Sequence, residues 1–143
     1  MSGTWVGFQT SPKPILGAKK REVGLSLTAT SGLVELFELL TTPAGLSLWL
    51  GQTNKCVPAV GAKFESGLAG EEAQNLFISI SVPRQVVILN SLLGEINVKV
   101  KNTHGKISLD AKITAAITEA DFEAWQVRAD DVLAQLESVA LNG

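Results

Sequence analysis

The chain has 143 residues, of which 45% are hydrophobic and 18% charged, and a formal net charge of −2. This length predicts one domain large enough to bury a core without disulfides or metals. The balance of charge leaves no basic footprint for nucleic acid and no polybasic membrane patch, and the lone Cys56 excludes an intramolecular disulfide.

Residues 1–18 carry Pro12, Pro14 and three glycines, together with Trp5 and Phe8. They read as an irregular arm whose aromatics pack on this domain or on a partner subunit. Residues 19–143 read as a single domain. The segment 21–30 alternates, with Val23, Leu25 and Leu27 on one face, and predicts a half-buried strand. The short basic run 17–22 reads as a solvated lead-in to it. The period then changes. Leu33, Leu36, Phe37 and Leu40 follow helical spacing, with Ser31 as N-cap and Glu35 and Glu38 on the wet side. Pro43 ends that helix and starts another over 43–49, with Thr42 as its cap and Gly51 closing it. Leu48 and Leu50 are more apolar than a short helix with one buried side requires. They are expected at a pocket mouth or against another chain.

The chain then returns to strands. Residues 60–66 place Phe64 on one face, and 75–82 place Leu76, Ile78, Ile80 and Val82 together. The stretch 67–75 reads as a loop by composition. Pro83 and Arg84 form a turn, 85–90 is a continuous apolar strand, and 95–101 sets Ile96, Val98 and Val100 against Asn97, Lys99 and Lys101. Residues 102–105 predict a hairpin with Gly105 at positive φ, and 106–117 resumes the alternation with Ile107, Leu109, Ala111 and Ile113. A final helix of about 23 residues starts at Thr118, with Asp121 in capping-box position. Phe122, Trp125, Ala129, Val132, Leu133, Leu136 and Ala140 form its apolar stripe.

The order predicts an α+β fold: a curved antiparallel sheet wrapped around a long C-terminal helix, with two short helices after the first strand. The residues also carry a resemblance. Leu40, Thr41 and Pro43, followed by Gly45, Leu46 and Trp49, then Gly61 to Phe64, and finally Trp125, Leu133 and Leu136, are similar to the START-like (SRPBCC, helix-grip) superfamily. The branch resembled most is the activators of the heat-shock-chaperone ATPase. The resemblance covers about residues 21–141. It implies a helix-grip fold that hosts lipid carriers, aromatase/cyclases and chaperone activators, and it brings in a chaperone partner by resemblance alone. Two departures are Leu50, where many members carry a charged or aromatic residue after the tryptophan, and the absence of tyrosine.

Few groups suited to catalysis converge. His104 falls in the hairpin turn, Cys56 reads as a small structural hydrophobe, and the acids fall on wet faces or at helix caps, so neither a zinc site nor a Cys-His pair is expected. No metal and no cofactor is expected. The inward positions Phe37, Trp49, Phe64, Ile78, Ile80, Ile96, Val98, Leu109, Ile113, Trp125 and Ala129 are nearly all hydrocarbon. They either fill the core or line a cavity for a lipid-like or polycyclic ligand, with room expected where Ala129 faces Ala111. The expected function is therefore a non-catalytic binding domain for a small hydrophobic ligand. The alternatives are a protein-interaction domain or co-chaperone-like activator working through its surface, and then a cyclase-type enzyme. A homodimer through Trp5, Phe8, Leu48 and Leu50 is a further expectation. With neither a secretory signal nor any run near the ~20 apolar residues of a membrane span, the expected location is the cytoplasm.

Overall fold

Period-two patterning builds the sheet. In a computed structural model, residues 18–142 are described, apart from 31, 69–70 and 82–83. The irregular arm with Trp5 and Phe8, Ser31, the expected strand residue Val82 and the turn residue Pro83 thus lie outside the described residues, and the N-cap of the helix after the first strand is Gly32 instead of Ser31. Six strands, β1 (Lys19–Thr28), β2 (Lys63–Leu68), β3 (Glu71–Ser81), β4 (Gln85–Asn90), β5 (Gly94–Thr103) and β6 (Lys106–Ile117), form one sheet in the order β1-β6-β5-β4-β3-β2. Every neighbouring pair is antiparallel. From β2 to β6 the chain meanders, whereas β1 pairs with the last strand. Val23, Leu25 and Leu27 there meet Ile113, Ala111 and Leu109. The β5–β6 turn is His104–Gly105, with φ of 53° and 85°. That double positive φ matches the twist of the flanking strands. The Asn102 side-chain oxygen accepts the Gly105 N–H at 3.1 Å.

Three helices cover one face: α1 (Leu33–Thr41), α2 (Pro43–Trp49) and α3 (Glu119–Asn142). Thr42 separates the first two. Its extended backbone (φ −105°, ψ 153°) is what a residue before proline adopts. Its hydroxyl donates to the Glu38 carbonyl (2.8 Å) and accepts the Gly45 N–H (2.9 Å), so one side chain closes α1 and caps α2. A Cβ at Gly45 would collide with the Glu38 carbonyl and the Leu39 Cα, so glycine lets α2 fold directly onto α1. Trp49 Nε1 then donates to the Leu39 carbonyl at 2.6 Å. Leu50 is fully buried, contrary to the expectation of a pocket mouth or another chain: α2 turns its closing residue into the core. Leu48 is 54% exposed. Before α3, the Thr118 hydroxyl accepts the Asp121 N–H (3.3 Å) and donates to its carboxylate (3.1 Å). Trp125, Ala129, Val132, Leu133, Leu136 and Ala140 form the buried stripe of α3.

The sheet departs from the sequence reading in two places. The stretch 67–75 is not a loop, since β2 continues to Leu68 and β3 begins at Glu71. The two strands pair along their length, down to Leu68 opposite Glu71. The phase of β3 also differs. Ala73, Asn75 and Phe77 point into the core, while Ile78 is 40% exposed on the outer face. The register with β4 shifts between Phe77 and Ser79. Ile78 is the extra residue of a β-bulge, and the bulge turns Ile80 back toward the core opposite Val86.

Candidate ligand-binding site

Ten of the eleven expected lining residues belong to or pack against one apolar cluster. Trp49, Phe64, Ile96, Val98, Leu109, Ile113, Trp125 and Ala129 are buried in it, and Phe37 and Ile80 are half-buried against it. Ile78 is the one that the bulge removes. Ala111 and Ala129 are both closed to solvent, and α3 packs on β1 and β6. The rings of Phe64 and Phe77 pack at a tilt of 37°, with their centroids 5.0 Å apart.

The two ends of this cluster differ in construction. At the end where α3 begins, polar bonds lock the apolar groups in place. Trp125 Nε1 donates to the Leu93 carbonyl at 2.9 Å. The buried Asn90 oxygen accepts the N–H groups of Leu92 and Leu93, both at 2.9 Å. Its amide donates to the Asn75 oxygen (2.6 Å), and the Asn75 amide reaches Ser66 Oγ (3.0 Å). Gly94 sits at φ 99°, where a Cβ would also strike the Thr114 carbonyl and the Ala115 side chain. Outside this network, Arg21 lies 4.3 Å over the Phe122 ring and pairs with Glu119 at 2.8 Å.

Half-buried apolar groups occur at both ends, Leu92, Ala115, Ile117 and Phe122 at the first and a larger set at the other, where α3 finishes and α1 starts. Leu27, Ala29, Leu33, Phe37, Ile80, Ile107 and Val139 are only half-buried against the core. Thr30 ties β1 to the end of α3, its hydroxyl donating to the Leu141 carbonyl at 2.5 Å. β4 stops at Gln85 while β5 runs on to Thr103, which leaves a notch beside the protruding strand. A hollow of about 550 Å³ occupies it, with Leu33 and Val100 as its apolar part and Arg84, Lys101 and Asn102 among its polar lining. Further hollows lie along the β2 edge, around Lys63, Glu65 and Gln74, and on the outer side of α3, around Glu123, Val127 and Asp131.

The titratable groups that the sequence singled out are dispersed in the fold. Cys56 is half-buried and donates to the Thr41 carbonyl at 3.2 Å, and burial pushes its thiol pKa up, the opposite of an activated nucleophile. His104 is exposed in its turn. Among the described residues no group of three or more His, Cys, Asp or Glu side chains is placed to hold a metal. Sequence reasoning missed the Asn75–Asn90 pair and the mouth residues Arg84 and Lys101. Asn75 and Asn90 occupy positions of inward phase, the one signal available once the bulge is recognised.

No family model matches the chain, and no curated protein does. Solved structures do. A protein from Mesorhizobium loti, MLL2253, superposes with a TM-score of 0.67 at 14% identity, covering 82% of this chain and 95% of its own. The Aha1 dimer from Colwellia psychrerythraea gives 0.60 at 14% identity, with 84% and 96% covered. CalU16 from Micromonospora echinospora gives 0.59 at 15% identity, with 87% and 81% covered. This chain, with its six-stranded antiparallel sheet, long C-terminal helix and two short helices after the first strand, thus has the overall fold of these proteins, which is START-like, of the helix-grip type.

Proposed function

We propose that this chain is a non-catalytic binding domain that holds a small hydrophobic, lipid-like or polycyclic ligand between the sheet and α3, reached from the end where α1 starts. The observation that carries this reading is the unsealed end. Half-buried Leu27, Phe37, Ile80, Ile107 and Val139 surround the interior there, next to a hollow of about 550 Å³. That volume is within the ~300–1,000 Å³ of ordinary ligand sites. The hydrocarbon of the interior favours binding over chemistry, because it neither polarises a carbonyl nor relays a proton. Native mass spectrometry of the purified protein tests the reading. A retained hydrophobic ligand, or a thermal shift with members of a lipid and polyketide panel, is expected. A bare apo mass with no shift across the panel overturns it.

A second reading, in which the domain works through its surface on another protein or on its own copy, has a different support. Val57, Val60 and Ile78 are exposed, and the Gly61 N–H bonds the Phe77 carbonyl at 2.8 Å, which brings the segment after Val60 against the strand beside Ile78. The fold shared with the Aha1 dimer is compatible with it. Light scattering on wild type and Ile78→Ser separates the two: a dimer that the substitution dissociates supports the surface reading, and a monomer in both leaves the pocket as the site.

A further inference from the structure

We infer that the ligand of the unsealed end is an anionic amphiphile, an apolar body carrying a single carboxylate or phosphate-type head. This deepens the binding reading above and rests on it. The hollow beside β5 has an apolar part, Leu33 of α1 and Val100 of β5, and a rim with three cations, Arg84, Lys99 and Lys101. Among the described residues no acidic side chain lines it.

The three cations are not equivalent. Lys99 stands opposite Asp110 across the β5–β6 ladder, so a carboxylate already neighbours it. Among the described residues neither Arg84 nor Lys101 has a carboxylate partner; the ion pairs there are Arg21–Glu119 and Arg128–Glu71. Arg84 is fixed at the notch by its own backbone, since its carbonyl accepts the Val100 N–H at 2.7 Å. That bond fixes the Arg84 backbone beside Val100, and its exposed side chain belongs to the lining of the hollow. Arg84 and Lys101 are thus the head-group ligands, and a guanidinium offers a planar fork suited to a carboxylate or phosphate. The start of α1 is not the source of attraction. Glu35 folds its carboxylate back over Gly32, so that helix end already has its anion.

The polar and apolar parts adjoin, which sets the orientation of the ligand. The head stays at the rim in water and the body points past Leu33 and Val100 toward Phe37, Ile80 and Ile107. A free amphiphile is the occupant this geometry favours, because Arg84 and Leu33 meet at a notch beside β5, while Lys99 and Lys101 also share the outer face of the sheet with Asp110 and Lys112.

Titration of the ¹⁵N-labelled protein with decanoate, decanol and decyltrimethylammonium, all below their micellar concentrations, tests the inference. Decanoate is expected to bind at least ten-fold more tightly than decanol at low salt, to weaken as salt rises, and to shift Leu33 and Val100–Thr103 most. The cationic probe is expected to be the weakest. In R84E/K101E the preference for decanoate should vanish, with decanol affinity changed less than two-fold. The milder R84Q/K101Q should show the same trend if charge reversal disturbs folding. Equal affinity for decanoate and decanol overturns the anionic head but leaves the apolar site standing. No binding by any probe, or shifts elsewhere, overturns both. Shifts at these residues with phosphatidylglycerol vesicles but not with decanoate overturn the free amphiphile in favour of a lipid surface.

Discussion

The end of the grip where α3 begins and the end where it finishes are made of similar hydrocarbon but held in different ways. At the first, an indole N–H, two buried asparagines and a glycine at positive φ fix the β4–β5 turn under Trp125. Each of these bonds has a partner only in one arrangement, so buried polar groups make that end specific as well as stable. At the second end the contacts are apolar and half-open, and contacts of that kind tolerate displacement. A domain that must keep its shape while admitting a ligand gains from concentrating rigidity at the end the ligand does not use.

Substitutions can break that contrast. The largest effect is expected from Trp125→Ala, at about 3–5 kcal/mol, because a fully packed ring and its hydrogen bond are lost together. Asn90→Ala should cost about 2–4 kcal/mol, since it strands the N–H groups of Leu92 and Leu93 and the Asn75 oxygen in the core. Phe37→Ala at the other end should cost less, about 1–3 kcal/mol, as Phe37 is only partly buried against the core. Urea unfolding measures all three, and a Phe37 cost equal to that of Trp125 would erase the distinction between the ends. Ile78→Ser should change stability by less than about 0.5 kcal/mol, as befits an outward bulge residue. A loss above ~2 kcal/mol would place Ile78 inside after all.

A chemical probe sharpens the picture without altering stability. The Cys56 thiolate is disfavoured by burial, so iodoacetamide should modify it more slowly than free cysteine at the same neutral pH. A rate equal to that of the free amino acid would mean that the segment around Thr41 opens readily.

Much of this was legible in the chain, and the exceptions share a cause. Pro43 after Thr42, and Asp121 after Thr118, signal helix boundaries through local chemistry, and the structure has both. The β5–β6 hairpin is equally local, because two adjacent residues must take positive φ. β3 was misread because both of its faces offer apolar side chains. Leu76, Ile78 and Ile80 alternate more convincingly than Ala73, Asn75 and Phe77, although the latter set is buried. A bulge shifts the phase by one residue and leaves no mark in composition. Asn75 and Asn90 look like surface residues until their mutual bond is seen, and Arg84 looks like a turn residue until β5 is found to outrun β4. These features depend on where a second strand lies, which a single strand's pattern does not state.

The pairing of the first strand with the last has a consequence for assembly. Thr28 meets Ser108 and Lys19 meets Ile117, so β1 has no partner in the sheet until almost the whole domain is present. Such distant pairing is slow, and an unpaired strand with one apolar face is prone to join the wrong neighbour. β2 to β5 can close by successive hairpins in the meantime. As the chain leaves the ribosome, β1 therefore waits longest of all. A chain cut between Thr103 and Lys106 would keep three of its four hairpins and still lack the strand that shields the first one.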